Sequence, residues 1–129
     1  MAADGEETTL VFVYGTLRRG FCNHHLVRGS AFVGQGETVG RLVMHVAGQI
    51  PFAHDAEAAY PIVGEVYAVD GLTLATLDHL EDHPRWYVRT PMEVRLADGR
   101  VLTAGIYLCR RPEGWRAPRG DYAALPGIR

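Results

Sequence analysis

The chain has 129 residues, of which 47% are hydrophobic and 22% are charged, and its formal net charge is −2. This length suits one domain with its own core, and a near-neutral charge gives no basic surface for nucleic acid. No apolar run approaches the roughly 20 residues that a membrane helix needs, so we expect no membrane partner.

The N-terminal residues 1–8 are polar and acidic, and we predict that they form a short disordered tail before a single domain over residues 9–129. This tail lacks the basic and apolar segments of a secretory signal. We therefore expect a cytoplasmic protein in which Cys22 and Cys109 stay reduced. All 13 basic Lys+Arg positions are arginines, which excludes lysine chemistry such as a Schiff base.

The first predicted strand covers residues 9–14 and runs directly into the motif YGTLRRG at 14–20. This motif is either an ordinary strand end or a loop whose backbone amides face a ligand, and the residues alone leave both possibilities open. Its two arginines are expected to be a solvated pair in preference to an anion site. Residues 23–28 are predicted to form one or two helical turns with Asn23 as the N-cap.

The middle of the chain is rich in glycine and alternates between strands and loops. Residues 31–46 are predicted to form two short strands or one bent strand, because three glycines interrupt them. Residues 47–61 are predicted to be a long irregular loop, and a connection of that length usually lines a site. Residues 62–69 alternate well and predict a strand.

One helix is predicted over residues 71–82, with Asp70 as its N-cap. We expect it to end before Pro84, because the residue before a proline is pushed out of helical geometry.

Glu81 occupies an unusual position on this helix. It stands at i+7 from Leu74 and i+4 from Leu77, on the stripe that should face the core. A glutamate on an apolar stripe loses water, which raises its proton affinity and suits a general acid or base. The alternative is that Glu81, at the C-terminal end of the helix, points to solvent.

The remaining strands are predicted at residues 86–96 and 101–108, around an Asp-Gly pair at 98–99 that favours a type I′ turn. Pro91 within the first of them indicates an edge or a bulge. The tail over residues 110–129 is predicted to be extended and to wrap around the domain.

Strands dominate these predictions, with one clear helix and no regular strand–helix alternation. The fold class is therefore α+β, a small single domain with a bent, mostly antiparallel or barrel-like mixed sheet and a few short helices.

Two alternative sites receive less support from the pattern. His79 and His83 stand at i and i+4, as metal ligands on a helix do, but a solvated helix face is the better interpretation. Cys22 has no histidine at a spacing that indicates a thiol nucleophile.

Several motifs together resemble a known family. In chain order they are YGTLR, VGEVYAV, LDHLEDHPRWYVR and AGIYL, spread over about residues 10–108. This order resembles the gamma-glutamylcyclotransferase-like family, which includes the gamma-glutamylamine cyclotransferases and the plant avirulence-induced-gene-like proteins. The resemblance implies a barrel-like fold with a cavity between the YGTL loop and the helix that carries Glu81.

The resemblance also implies a reaction, in which the α-amine of a γ-glutamyl compound attacks its own γ-carbonyl to release 5-oxoproline and a free amine. Glu81 falls on the family's catalytic acid/base. The predicted substrate-binding residues are Tyr14, Gly15, Thr16 and Leu17, which fall on the family's binding loop, together with Tyr107 at the end of an apolar strand and Tyr122 in a Gly-Asp-Tyr sequence similar to a family ending.

The expected partner is thus a small γ-glutamyl substrate, and the implied reaction needs no metal and no cofactor. The oligomeric state and the identity of the leaving amine stay open. A second hypothesis keeps the fold without turnover, as a non-catalytic module that binds a small carboxylate or an interaction partner.

Overall fold

The computed structural model describes residues 7–129, so most of the predicted N-terminal tail, residues 1–6, lies outside the described residues. Within that range the strands are β1 Thr9–Val13, β2 Ala31–Thr38, β3 Val43–Ala47, β4 Ile50–His54, β5 Val63–Val69, β6 Tyr87–Leu96, β7 Val101–Cys109 and β8 Trp115–Arg116. The α-helix is α1 Gly71–Leu80, and two short 3₁₀ helices cover His24–Leu26 and Tyr122–Ala124.

Five of these strands close into a barrel in the order β1-β5-β2-β6-β7. The neighbours pair antiparallel except β1 and β7, which pair in parallel where Val11 lies opposite Gly105 and close the barrel. The predicted fold class, an α+β domain with a barrel-like mixed sheet, is confirmed. Among residues 7–129, no helix has the length and apolar character needed to cross a membrane.

A second sheet contains β4, β3 and β8 in that order. The prediction of an irregular loop over residues 47–61 is therefore wrong for β4, which pairs with β3 along its whole length. Pro51 is compatible with this strand because β4 is an edge strand, where a missing backbone N–H costs little. The hairpin between β3 and β4 turns at Gly48, whose φ is +63°.

The helix begins as predicted, because the Oδ1 atom of Asp70 accepts a hydrogen bond of 2.8 Å from the Thr73 backbone N–H. It ends at Leu80, earlier than predicted, and Glu81 is its C-cap. Leu77 is fully buried and anchors α1 in a core cluster on the outer side of β1, which also contains Val11 and Val13.

The β6–β7 hairpin turns at the predicted Asp-Gly pair, but its turn is not type I′. That type requires a positive φ at both central residues, and only Gly99, at +95°, has one. Leu96 donates its N–H to the Arg100 carbonyl, which indicates a three-residue loop with Gly99 in the left-handed position. Pro91 lies opposite Gly105 in the part of β6 that pairs with β7 alone, as expected for an edge segment.

Candidate active site

A cavity of about 300 Å³ opens where β1 leaves the barrel, at the low end of the range for small-molecule sites. Its walls come from the loop after β1, the start of β4, the end of α1 and the start of β6. The lining residues are Phe12, Val13, Tyr14, Gly15, Thr16, Leu17, Cys22, Asn23, Gln49, Ile50, Pro51, Leu80, Glu81, Trp86, Tyr87 and Tyr107.

The YGTL loop, residues 14–17, has its carbonyl groups occupied while its N–H groups are available. The Gly15 carbonyl accepts from Arg18 N–H at 3.0 Å, and the Thr16 carbonyl accepts from Asn23 N–H at 2.9 Å. Within residues 7–129, the backbone N–H groups of Gly15, Thr16 and Leu17 donate no hydrogen bond. Three consecutive donors without a protein acceptor beside a cavity are suited to an anionic group.

Asn23 does not cap the short helix as predicted, since its side chain makes no capping hydrogen bond. Its Nδ2 atom instead donates to the Thr16 hydroxyl at 2.9 Å. Together with the hydrogen bond from the Asn23 backbone N–H to the Thr16 carbonyl, this contact holds the YGTL loop in place.

Gly15 is required by packing against β4. A Cβ atom at this position would lie 2.5 Å from Cγ of Pro51, far inside contact distance. The absence of a side chain at Gly15 therefore lets β4 close over the loop and form one wall of the cavity.

Tyr14 connects the barrel to β4 through its hydroxyl group. The hydroxyl donates to the Tyr107 carbonyl at 2.7 Å and accepts from the Ala53 N–H at 3.2 Å. Burial, and secondly the nearby charge of Glu81, raises the pKa of Tyr14 far above its usual value. Tyr14 therefore stays neutral and serves as a fixed wall of the cavity.

Glu81 enters the cavity from the C-terminal end of α1. The described residues provide no hydrogen-bond donor to its carboxylate, although its backbone N–H is bonded to Leu77. Burial raises the pKa of Glu81 from 4.5 to about 7. This carboxyl group is thus poised to take up and release a proton near neutral pH.

Tyr107 also lines the cavity, but its hydroxyl group has a partner elsewhere. It donates to the Oδ1 atom of Asp78 at 2.7 Å, and that carboxylate is paired with Arg89 at 2.9 Å. Tyr107 therefore presents its ring to the cavity, while its hydroxyl ties β7 to α1.

Tyr122 is buried but does not line the cavity. Its hydroxyl donates to the backbone carbonyl of Gln49, and its ring packs 5.1 Å from that of Phe21. The structure therefore places Tyr122 behind Gln49, which lines the cavity, and does not bring it together with the other predicted substrate-binding residues.

The motif arginines are not a solvated pair, which corrects the prediction. The Arg18 side chain is only 14% exposed and lies 2.9 Å from Asp121 and 3.9 Å from Glu65. Arg19 is exposed, and its guanidinium lies 3.8 Å above the ring of Phe32.

Glu65 holds the end of the YGTL loop, a role that sequence reasoning missed. Its Oε1 atom accepts from the Arg19 backbone N–H at 3.0 Å and from the Tyr67 hydroxyl at 2.9 Å. The signal was present in the sequence, because a charged residue alternates with Val63 and Tyr67 on a strand face that is otherwise apolar.

Comparison with known proteins decides the family. The family described as "Gamma-glutamyl cyclotransferase, AIG2-like" matches residues 11–124. The chain belongs to this family.

Relatives and solved structures agree with this assignment. A Methanocaldococcus jannaschii protein whose name groups it with the gamma-glutamylcyclotransferases is 41% identical to this chain, over 91% of this chain and 98% of its own length. A human protein named gamma-glutamylaminecyclotransferase is 40% identical over 71% of this chain and 65% of its own. The crystal structure of an AIG2-like protein from Mus musculus matches with a TM-score of 0.85 at 29% identity, covering 95% of each chain.

In this gamma-glutamyl cyclotransferase-like chain, His79 is exposed near the end of α1, and His83 lies beyond the helix end. The Nδ1 atom of His83 accepts from the Arg89 backbone N–H at 3.0 Å. Over residues 7–129 there is no cluster of three or more His, Cys, Asp or Glu side chains arranged for a metal ion. Both cysteines are free, with Cys22 exposed and Cys109 buried.

Proposed function

We propose that this chain is a cyclotransferase that cleaves a γ-glutamyl amide into 5-oxoproline and a free amine. The observation that carries the proposal is the pairing of two features in one cavity. Glu81 presents a carboxyl group with a pKa of about 7, and Gly15 to Leu17 present three backbone N–H groups that, within residues 7–129, have no acceptor.

Glu81 supplies the base for the first step. The α-amine of a γ-glutamyl group is protonated at neutral pH and cannot attack until it loses that proton. The ionised Glu81 carboxylate accepts the proton, and the nitrogen lone pair then forms a bond to the γ-carbonyl carbon. The carbonyl π electrons move to oxygen and produce a tetrahedral oxyanion.

The YGTL loop is suited to stabilise negative charge. Fixed N–H donors beside a developing oxyanion act without reorganising, and removal of one such donor typically costs about 100-fold or more in rate. The free N–H groups of Gly15, Thr16 and Leu17 offer donors both to the oxyanion and to the α-carboxylate of the substrate.

The second step returns the same proton. Glu81, now neutral, protonates the leaving nitrogen, the oxyanion reforms the carbonyl, and the bond between the γ-carbonyl carbon and that nitrogen breaks. The ring nitrogen still carries two hydrogens after its attack, so the regenerated Glu81 carboxylate accepts one of them and passes it to the released amine, which leaves as an ammonium. One C–N bond has formed and one has broken, with no water consumed. The acid and base roles therefore fit one carboxyl group with a pKa near 7.

The rigid walls favour ring closure. Tyr14 and Tyr87 are both buried, and their hydroxyl groups are bonded to Tyr107 and Pro51 at 2.7 and 2.9 Å. A cavity with fixed walls selects the folded substrate conformer that places amine and carbonyl in contact, and such positioning contributes strongly to intramolecular reactions.

The experiment that tests the proposal measures 5-oxoproline release from a panel of γ-glutamyl compounds with wild type and the Glu81→Gln variant. Gln preserves the shape and removes the base, so we expect a loss of about 100-fold or more with the fold intact. The control is Glu93→Gln, which removes an exposed carboxylate on β6 that is not part of the cavity.

Equal activity of wild type and Glu81→Gln would refute the assigned base. No release from any compound, together with binding of γ-glutamyl compounds detected by calorimetry, would favour the non-catalytic carboxylate-binding module instead.

A further inference from the structure

The mouth of the cavity exposes two large aliphatic side chains. Ile50, at the start of β4, is 47% exposed, and Leu80, at the end of α1, is 41% exposed, and both line the cavity. They come from elements that are distant in the sequence, and neither is needed to fill the core. Exposed apolar side chains gathered at the rim of a cavity are typical of a surface that receives an apolar ligand group.

Trp86 adds an aromatic wall to this rim. Its ring lies 5.9 Å from the ring of Phe52 and 5.7 Å from that of Tyr87, and it lines the cavity. A ring held by two aromatic neighbours offers a fixed apolar face at low entropic cost.

Charged partners are almost absent from the lining. Among the described residues that line the cavity, Glu81 alone is an acidic or basic residue, with histidine counted as basic. In the proposed reaction Glu81 interacts with the α-amine of the substrate and not with the leaving amine. The amide of Gln49 is engaged on both sides, since Nε2 donates to the Gly127 carbonyl and Oε1 accepts from the Arg129 N–H. A charged substituent on the leaving amine would therefore lose water without finding an opposite charge.

We propose that the leaving amine of this enzyme carries a neutral apolar or aromatic substituent, received by Ile50, Leu80 and Trp86. This inference rests on the proposed cyclotransferase function and specifies its substrate class. It predicts discrimination against leaving amines with a terminal ammonium, and against γ-glutamyl amino acids, whose leaving amine carries a carboxylate.

The test compares matched pairs of substrates by the kcat/KM for 5-oxoproline release. The γ-glutamyl amide of hexylamine is compared with that of 1,5-diaminopentane, which has the same chain length and ends in an ammonium. The γ-glutamyl amide of phenethylamine is compared with γ-glutamylphenylalanine, which adds one carboxylate. We expect the neutral member of each pair to be preferred by a factor of about 10 or more.

Two variants connect this preference to the rim. Ile50→Glu places a carboxylate at the mouth, and we expect it to narrow or reverse the preference for hexylamide over the diaminopentane amide. The control is Val101→Glu, because Val101 also begins a strand and is 49% exposed but does not line the cavity. This control should leave the ratio unchanged.

The outcomes separate the two proposals. Product release with equal or better rates for the charged members overturns this inference while the cyclotransferase function stands. If the neutral substrates are preferred but Ile50→Glu and Val101→Glu change the kcat/KM ratio equally, the proposal that the rim residues receive the leaving amine is overturned. No 5-oxoproline from any of the four compounds, or from a wider γ-glutamyl panel, overturns the proposed function, and this inference with it. The substrate ratios of the wild type need no variant, so a misfolded Ile50→Glu protein still leaves a decisive result.

Discussion

The Glu81→Gln substitution should stabilise the protein at alkaline pH while it abolishes the proposed activity. Burial raises the pKa of Glu81 from 4.5 in the unfolded chain to about 7 in the folded one, so folding disfavours the ionised carboxylate. A difference of about 2.5 pKa units corresponds to roughly 3 kcal/mol. Below the unfolded pKa the group is neutral in both states and this penalty is absent.

The direction of this pH dependence of stability follows from proton binding at Glu81. Between about pH 4.5 and pH 7 the folded state binds more protons at Glu81 than the unfolded state, so the wild-type free energy of unfolding falls as pH rises. Gln has no proton to lose. We therefore expect the variant to be more stable than wild type by about 3 kcal/mol at about pH 8, and by less than about 1 kcal/mol at about pH 5.

The assay is equilibrium unfolding in urea at both pH values, followed by tryptophan fluorescence from Trp86 and Trp115. The two proteins share all other titrating groups. The difference between their free energies of unfolding therefore changes with pH only through the titration of Glu81. The exposed control Glu93→Gln should show no comparable gain. A Glu81→Gln stability difference that is the same at both pH values would refute the raised pKa of the Glu81 carboxyl group, on which the mechanism depends.

Three further substitutions test the support of the cavity. Glu65→Gln removes the charge of a carboxylate that is 7% exposed and should lower the free energy of unfolding by about 1–3 kcal/mol; an unchanged urea midpoint would contradict its role in holding the loop. Gly15→Ala places a Cβ atom 2.5 Å from Cγ of Pro51, so it should destabilise the protein by about 1–3 kcal/mol and raise KM. A variant with wild-type stability and KM would show that Pro51 can move away without cost. Tyr107→Phe loses the hydrogen bond to Asp78 and should cost about 1 kcal/mol in thermal unfolding with kcat nearly unchanged, whereas a large fall in kcat would give its hydroxyl a direct catalytic role.

Local patterns in the sequence were enough to locate most of the barrel strands and the helix. Strand alternation, an N-cap at Asp70 and the break before Pro84 each act over a few residues, and the structure confirms them apart from the exact helix end. Helical spacing alone sets which side chains share a face, so the sequence placed Glu81 on the stripe that includes Leu77. It left open whether the carboxylate faces the core or the solvent, because Glu81 stands at the end of the helix.

Contacts between distant segments decided the rest. Pro51 belongs to a strand only because β4 is an edge of the second sheet, and Gly15 needs its small size only because that strand packs over it. Tyr122 lies behind the wall because its hydroxyl finds the Gln49 carbonyl across the fold. The raised pKa of Glu81 depends in the same way on burial by walls from four separate parts of the chain, and no local pattern reports how much water such walls exclude.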